Sequence, residues 1–210
     1  MSEEPREDGR RRRWATHRDA RRATLVEAAA AAVEEHGPDV HLDAIAAAAG
    51  VTKPVLYRYF SGKDDVLAAA ALWGAERIVG AITAALAEAR DERSAVEGAV
   101  AAFLTEVETH RNLFLLVIRH RAGAVSGSVA EGKSAAADVL ARALVNGLST
   151  TGVARSGVDV WAHALVGMGL STAEWWLASG TTSRAEVTRW LSAFVWHAFD
   201  GVRRDQALSD

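Results

Sequence analysis

Side chains suited to nucleic-acid contact are concentrated in residues 52–63. Lys53, Arg58 and Lys63 are basic, Thr52 and Tyr57 carry hydroxyl groups, and no residue from 51 to 63 is acidic. Ammonium, guanidinium and hydroxyl groups bind phosphate oxygens and donate hydrogen bonds to base edges in a DNA major groove. The pattern therefore indicates a short DNA-reading element, if the fold exposes these side chains together.

No pattern in the chain indicates catalysis. The chain has no cysteine, which excludes disulfides, thiol nucleophiles and Cys-based zinc sites. It contains no G-x-S-x-G elbow, no phosphate-binding loop and no H-E-x-x-H motif, and its seven histidines are scattered. We therefore predict that the protein is not an enzyme and has neither a metal site nor a cofactor.

Charge and hydropathy bear on the cellular location and the partners. The net charge is −3, yet residues 10–22 carry seven arginines and one aspartate. The N-terminal segment has no apolar run of the secretory kind. The longest weakly charged stretch, residues 160–173, is too short to span a bilayer. We therefore expect a cytoplasmic protein without a membrane partner, whose positive charge lies near the N-terminus.

The elements that must position these side chains are predicted to be helices. Alanine is abundant, proline is absent after Pro54, and no segment alternates with a period of two. These features predict an all-α fold of about nine helices. The expected segments are residues 19–35, 42–49, 53–59, 63–90, 92–109, 111–121, 127–149, 156–179 and 184–203.

Residues 42–60 have the layout of a helix-turn-helix. Two short helices meet at Gly50, where the chain needs a left-handed residue. Ala46 is small enough for the helices to approach each other closely. Leu56, with Ile45 and Val55, is expected to fill the wedge between them. The second short helix would then expose the basic and hydroxyl side chains described above.

The run AIAAAAGVTKPVLYRYFSGKDDVL, residues 44–67, resembles the DNA-binding head of the TetR family of bacterial transcriptional regulators. The shared features are an Ile-Ala pair, Ala-Gly-Val, Leu-Tyr-x-Tyr-Phe and a lysine that opens the fourth helix. The resemblance covers about residues 19–70. We accordingly divide the chain into a flexible basic arm at 1–18, a three-helix DNA-binding domain at 19–65 and a helical ligand-binding and dimerisation domain at 66–210.

The resemblance implies a recognition helix that begins at Lys53. Its side chains would face base edges and sugars, while Tyr57, Tyr59 and Lys63 would hold phosphates. Thr52 would cap the helix and touch the DNA backbone. The residues implied in DNA contact are His41, Thr52, Lys53, Pro54, Val55, Tyr57, Arg58, Tyr59 and Lys63.

Two further features flank this helix. His41 opens the second helix, where many members of the family carry Ser or Thr, and Asp43 close to it would repel a phosphate. The arginine run at residues 10–13 could reach a minor groove or flanking phosphates, as basic arms do.

The resemblance also implies a ligand cavity in the C-terminal domain, whose occupation would change the spacing of two DNA-binding heads. Residues 113–118 are apolar all round, so their helix should be enclosed by others. His163 and Glu174 fall on nearly the same side of one helix and could be polar groups in the cavity. Because polar candidates are few, we expect a largely apolar effector. The candidate lining residues are Phe103, Val107, His110, Phe114, Val117, Ile118, Trp161, His163, Met168, Thr172, Glu174 and Trp175.

The last two helices are expected to carry a dimer interface. Helix 156–179 has two apolar faces, and one of them needs a partner outside its own core. In helix 184–203, Trp196 lies almost opposite the apolar stripe. The resemblance adds that such helices pack against their mates as a four-helix bundle. We predict a homodimer, with Trp176, Trp190, Phe194 and Trp196 as interface candidates.

The leading hypothesis is a homodimeric repressor that a largely apolar ligand releases from its operator. A regulator without an inducer, or an activator, would have the same DNA-binding module. An alternative of another class is an all-helical binding or carrier protein with a vestigial DNA-binding head. Loss of Lys53, Tyr57 and Lys63 would favour that alternative, and all three are present.

Overall fold

The computed structural model describes residues 5–119, 124–147 and 155–204. Within these ranges the chain forms nine α-helices and no strand, which confirms the all-α prediction. The helices are α1 (Pro5–His36), α2 (Leu42–Ala48), α3 (Lys53–Leu56), α4 (Lys63–Glu88), α5 (Glu92–Thr109), α6 (Arg111–Arg119), α7 (Ala124–Gly147), α8 (Arg155–Ser179) and α9 (Arg184–Arg204).

The main differences from the expected helices lie in the N-terminal third. Helix α1 begins at Pro5, so residues 5–18, expected to be a flexible arm, are helical. Arginine and alanine are strong helix formers. The high charge of this segment is therefore compatible with a helix and was not a sufficient reason to predict a flexible arm. Helix α3 ends at Leu56 rather than at Tyr59, and residues 57–59 continue as turns. The expected breaks at 122–123 and 149–152 lie outside the described residues.

Glycines with positive φ end two helices of the head. Gly37 (φ 84°) follows α1, and its N–H donates to the Val33 carbonyl at 2.8 Å. Gly50 (φ 61°) follows α2. Both positions require a left-handed backbone, which glycine adopts without a steric penalty. The prediction of a left-handed residue at Gly50 is therefore confirmed.

The core of the head extends into the C-terminal domain. Leu25 and Val33 of α1, Leu56 of α3 and Leu67 of α4 are fully buried in one hydrophobic cluster. The same cluster includes Leu116 of α6. Because the two domains share this core, a movement of α6 relative to α4 would disturb the packing of the head.

Helix α4 is the centre of the C-terminal domain. It packs against α1, α5, α6 and α7, while α8 packs on α7 and α9 packs on α5. Among the described residues α4 alone is long and apolar enough to cross a membrane. Its contacts with four other helices are typical of a core helix, and its buried residues include Ala70, Ala71 and Ile82.

Two side-chain caps define where α5 and α9 begin. Asp91 and Ser94 form a reciprocal capping box: the Ser94 N–H donates to Asp91 Oδ1 at 2.7 Å, and the Asp91 N–H donates to Ser94 Oγ at 3.0 Å. The hydrogen bond from the Ser94 N–H to the carboxylate lowers the pKa of Asp91. At α9, Glu186 accepts from the Ser183 N–H at 3.1 Å and from its hydroxyl at 2.8 Å. Both helices line the cavity described below.

Candidate nucleic-acid interface and internal cavity

The wedge between α2 and α3 is formed as the sequence predicts. Ile45 and Leu56 are essentially inaccessible to solvent, and Ala46 is 5% exposed. Val55 is half-buried beside them. This apolar contact holds α3 against α2, so the side chains on the outer surface of α3 have a rigid support.

The outer surface of α3 presents most of the candidate DNA contacts. Tyr57 is 57% exposed, which argues against a core role for its ring. Tyr59 is half-buried and packs against the head core. Thr52 is the N-cap residue of α3, as predicted, although its side chain makes no capping hydrogen bond. The exposed candidates are His41, Thr52, Lys53, Pro54, Tyr57 and Arg58, whereas Val55, Tyr59 and Lys63 are half-buried.

Lys53 is held by an acidic residue of the neighbouring helix. Its Nζ lies 2.9 Å from Asp43 Oδ1, and both side chains are largely exposed. The hydrogen bond and the negative charge of Asp43 raise the pKa of Lys53. From the sequence, Asp43 was expected only to repel a phosphate, and its ion pair with Lys53 was not predicted.

The start of α4 lies beside the recognition helix. Lys63 Nζ donates to the Asp39 carbonyl at 3.4 Å, which orients the side chain towards the loop between α1 and α2. Asp65 Oδ2 accepts from the Ser61 N–H at 2.8 Å. Phe60 is 3% exposed, as expected of a core residue, and the Arg22 guanidinium lies 4.9 Å from the centre of its ring.

An elongated cavity of about 260 Å³ lies among the C-terminal helices. Side chains of α4 through α9 line it, and most of them are apolar. Along α4 the lining runs from Ala71 to Leu86, a length of about 22 Å at ~1.5 Å per residue. Six of the candidate ligand residues line it: Phe103, Val107, His110, Phe114, Val117 and Met168.

The other six candidates do not line this cavity, so that prediction is wrong for them. Ile118 packs in the cluster of α5, α6, α8 and α9, and Trp161 in the cluster of α7 and α8. Thr172 is half-buried outside the cavity lining. His163, Glu174 and Trp175 are exposed.

The physical reason is the rotation of α8 about its axis. Buried Ala162 and Ala173 lie at the centre of its inner face, and His163 and Glu174 each follow one residue later. One residue turns the side chain by ~100°. His163 Nδ1 instead lies 2.8 Å from the Asp159 carbonyl of its own helix.

The sequence analysis also missed part of the lining. Gly74, Ile78 and Ile82 of α4 face the cavity, and so does Trp196 of α9. The small residues along α4 were a usable signal, since a helix surface poor in large side chains leaves space next to its backbone. Trp196, a candidate for the dimer surface, is half-buried at this lining.

His110 and Glu106 bring polar groups together at one part of the cavity wall. Both ring nitrogens are buried, and neither has a hydrogen-bond partner within the part of the chain that the structure describes. Nδ1 lies 4.0 Å from Glu34 Oε1, and Nε2 lies 3.8 Å from Glu106 Oε2. Glu106 pairs with Arg77 at 3.2 Å, and the Trp73 ring meets the imidazole edge-on at 5.7 Å.

Glu106 and His110 are four residues apart on successive helical turns. This spacing is typical of metal ligands, and the pair was not among the predicted sites. Within residues 5–119, 124–147 and 155–204, however, no three His, Cys, Asp or Glu side chains are grouped to hold a metal ion.

Direct hydrogen bonds join α1 to the start of α6. The Glu34 carboxylate accepts from the Leu113 N–H at 2.9 Å and from the Asn112 N–H at 3.3 Å. Asn112 Nδ2 donates to the Glu34 carbonyl at 2.7 Å. Leu113 also lines the cavity. The cavity wall and the head are therefore connected through one residue of α1.

Large apolar side chains are exposed on α8 and α9. Trp175, Trp190 and Phe194 are 55%, 66% and 65% exposed. Trp176, a candidate for the same surface, is 6% exposed, and its Nε1 donates to the Thr182 carbonyl at 2.8 Å. Of the four dimer candidates, Trp190 and Phe194 are therefore on the surface. Trp176 belongs to the core, and Trp196 lines the cavity.

Comparison with known proteins identifies the class of protein. The model of bacterial regulatory proteins of the tetR family matches residues 25–70. A second model, described as the tetracyclin repressor-like C-terminal domain, matches residues 92–198. The chain belongs to the TetR family of transcriptional regulators, and residues 25–70 form its helix-turn-helix DNA-binding head.

Two relatives are similar to this chain in sequence, and one solved structure is similar to it in fold. An uncharacterised HTH-type transcriptional regulator of Mycobacterium tuberculosis H37Rv is 29% identical over 93% of this chain and 84% of its own. The HTH-type transcriptional activator FasR of Mycolicibacterium smegmatis is 33% identical over 53% of this chain and 52% of its own. The structure of Bacillus subtilis FadR in complex with stearoyl-CoA has a TM-score of 0.62 at 15% identity, over 81% of this chain and 97% of that one.

Proposed function

We propose that this protein is a homodimeric transcriptional repressor that binds operator DNA and is released by a largely apolar small molecule. One observation carries the proposal: α3 and the turn that follows it present exposed Lys53, Tyr57 and Arg58 on a rigid wedge, in a chain of the TetR family. These groups suit base edges and phosphates of a major groove. The protein acts in the cytoplasm, without a cofactor, and has no enzymatic activity.

The exposed apolar surface of α8 and α9 supports the homodimer. Trp175, Trp190 and Phe194 would each leave a large apolar area in water in the monomer. A second copy, related by a two-fold axis, buries the same side chains on both subunits. The two recognition helices then address two half-sites of an operator.

The form of the cavity supports an apolar effector. Its walls are largely apolar, and its length of about 22 Å along α4 suits an extended chain better than a compact ring system. The fold is shared with a protein described in complex with stearoyl-CoA, a molecule with a long acyl chain. We infer that the effector of this protein carries a long apolar segment.

The proposal includes repression rather than activation of transcription. FasR, to which about half of this chain is similar, is named as an activator. An activator of this family would use the same head, and a carrier would have no need of the exposed α3 side chains.

The test is fluorescence anisotropy of the protein on the DNA upstream of its own gene, in a salt series, with an unrelated duplex as control. We expect tight binding that prefers the upstream DNA and weakens steeply with salt. Equal weak binding to both duplexes would place the operator outside the upstream DNA. No binding at low salt would favour the carrier.

Reporter transcription from the same DNA then decides between repression and activation. A repressor lowers transcription from its operator, and the effector restores it. An increase in transcription by the free protein would contradict the repressor.

A further inference from the structure

We propose that His110 is the positioning residue that transmits occupation of the cavity to the DNA-binding head, by competing for the carboxylate of Glu34. The proposal rests on the ligand-responsive regulator described above and assigns its coupling to one pair of side chains.

His110 is placed between the cavity and the head. It lines the cavity, and its Nδ1 faces Glu34 of α1 at 4.0 Å. Both nitrogens are buried without a hydrogen-bond partner in the described ranges. Leaving such groups unsatisfied is unfavourable, so a small displacement that forms a hydrogen bond is favoured. A shift of the ring by about 1 Å would bring Nδ1 within hydrogen-bond distance of Glu34.

Glu34 is the residue whose bonds such a shift would change. Its carboxylate accepts the N–H groups of Asn112 and Leu113 and so fixes the start of α6 against α1. A third donor from His110 would draw the carboxylate away from these two. Because Leu113 and Leu116 belong to the same core as α1 and α3, loosening this junction alters the support of the recognition helix.

The other groups around His110 favour movement towards Glu34. Glu106 lies 3.8 Å from Nε2, but the Arg77 guanidinium at 3.2 Å already offsets the charge of its carboxylate. The Glu34 carboxylate accepts only the neutral N–H groups of Asn112 and Leu113 in the described contacts, so its charge still attracts a donor. Trp73 contacts the imidazole edge-on. An apolar effector that enters the cavity beside Phe114 and Val107 therefore presses on the imidazole ring of His110. Trp73 holds one side of this ring, and Glu34 offers an accessible acceptor on the other.

The test compares the parent with His110→Phe, which keeps a ring of similar size and removes both nitrogens. Dodecan-1-ol is the probe, its binding measured by calorimetry and its effect on the DNA complex by anisotropy on the upstream duplex. In the parent we expect the probe to weaken DNA binding about tenfold or more, a typical allosteric coupling. In His110→Phe the probe should bind within about threefold of the parent yet weaken DNA binding less than about threefold.

His163→Phe is the matched control, because it makes the same change at an exposed position of α8 outside the cavity lining. It should keep the coupling of the parent. Amide hydrogen exchange supplies a direct readout: the probe should speed exchange in a peptide that covers Asn112 and Leu113 in the parent and in His163→Phe, but not in His110→Phe.

The outcomes distinguish the coupling role of His110 from the proposed function as a ligand-responsive regulator. If His110→Phe releases DNA like the parent, the role of His110 is overturned and the ligand-responsive regulator stands. If dodecan-1-ol fails to bind the parent, or binds without weakening the DNA complex, both the role of His110 and the apolar-effector proposal are overturned.

Discussion

Lys53 at the first turn of α3 forms an ion pair with Asp43 of α2, with 2.9 Å between Nζ and Oδ1. The pair orients a cation at the start of α3 and at the same time offsets its charge. In the proposed DNA complex, a phosphate or base edge would have to compete with a carboxylate for this ammonium.

Asp43→Asn tests that competition. Removing the carboxylate charge frees Lys53 for phosphate and ends the repulsion of the backbone, so DNA should bind more tightly on every sequence. We expect the slope of log K against log salt to steepen by about one phosphate contact. Asp138→Asn, a surface change of the same type on α7, is the control. Unchanged affinity and slope in Asp43→Asn would show that Lys53 stays away from the DNA.

Lys63→Ala and Lys53→Ala should have different effects on DNA binding: the first on affinity alone, the second on affinity and sequence preference. Lys63, at the start of α4, is expected to hold a phosphate, so its loss should weaken binding evenly across sequences and reduce the salt slope by about one. Lys53→Ala should also reduce the preference for the operator over unrelated DNA. Salt-series anisotropy on both duplexes measures the two effects. If both variants bind like the parent, the recognition helix has been assigned wrongly.

Phe194→Glu should convert the dimer into monomers. In a two-fold dimer each subunit contributes the same substituted residue, so the apolar interface would contain two carboxylates. Burying these charges is energetically costly. Sedimentation velocity should show the monomer, and affinity for a two-half-site operator should fall by more than tenfold. Ala185→Glu, an exposed change on the same helix, should remain dimeric. A stable Phe194→Glu dimer would place the interface elsewhere.

Gly132→Ala should destabilise the contact between α4 and α7. A Cβ at Gly132 would lie 2.6 Å from the Ala75 Cβ, so the helices would have to separate. We expect a loss of about 1–3 kcal/mol in the free energy of unfolding, typical of overpacking. Gly80→Ala on α4 is the control: a Cβ there meets nothing within 4 Å, and its better helix propensity should add about 0.5–1 kcal/mol.

Chemical denaturation at one fixed protein concentration compares these two glycine variants. A gain of stability in Gly132→Ala would mean that the two helices are less closely packed than the structure shows.

Much of the fold was predictable because its signals are local. Gly50, Pro54 and the apolar wedge of Ile45 and Leu56 mark the helix-turn-helix within a few residues of each other. Asp91 marks the start of α5, since its side chain caps the adjacent turn. These features depend on neighbours in the chain, and so the sequence alone determined the order of the helices and the exposed side chains of Lys53, Tyr57 and Arg58, although not the start of α1 or the end of α3.

Which face of each long helix points inward was decided by the tertiary structure. Helix periodicity shows which residues share a face, but α8 and α9 have apolar residues on two faces, and only packing against α5 and α7 chooses between them. That choice buried Trp176, exposed Trp175 and placed Trp196 in the cavity. The pairs Asp43–Lys53 and Glu34–Leu113 likewise join residues of different helices, and no local pattern encodes such contacts.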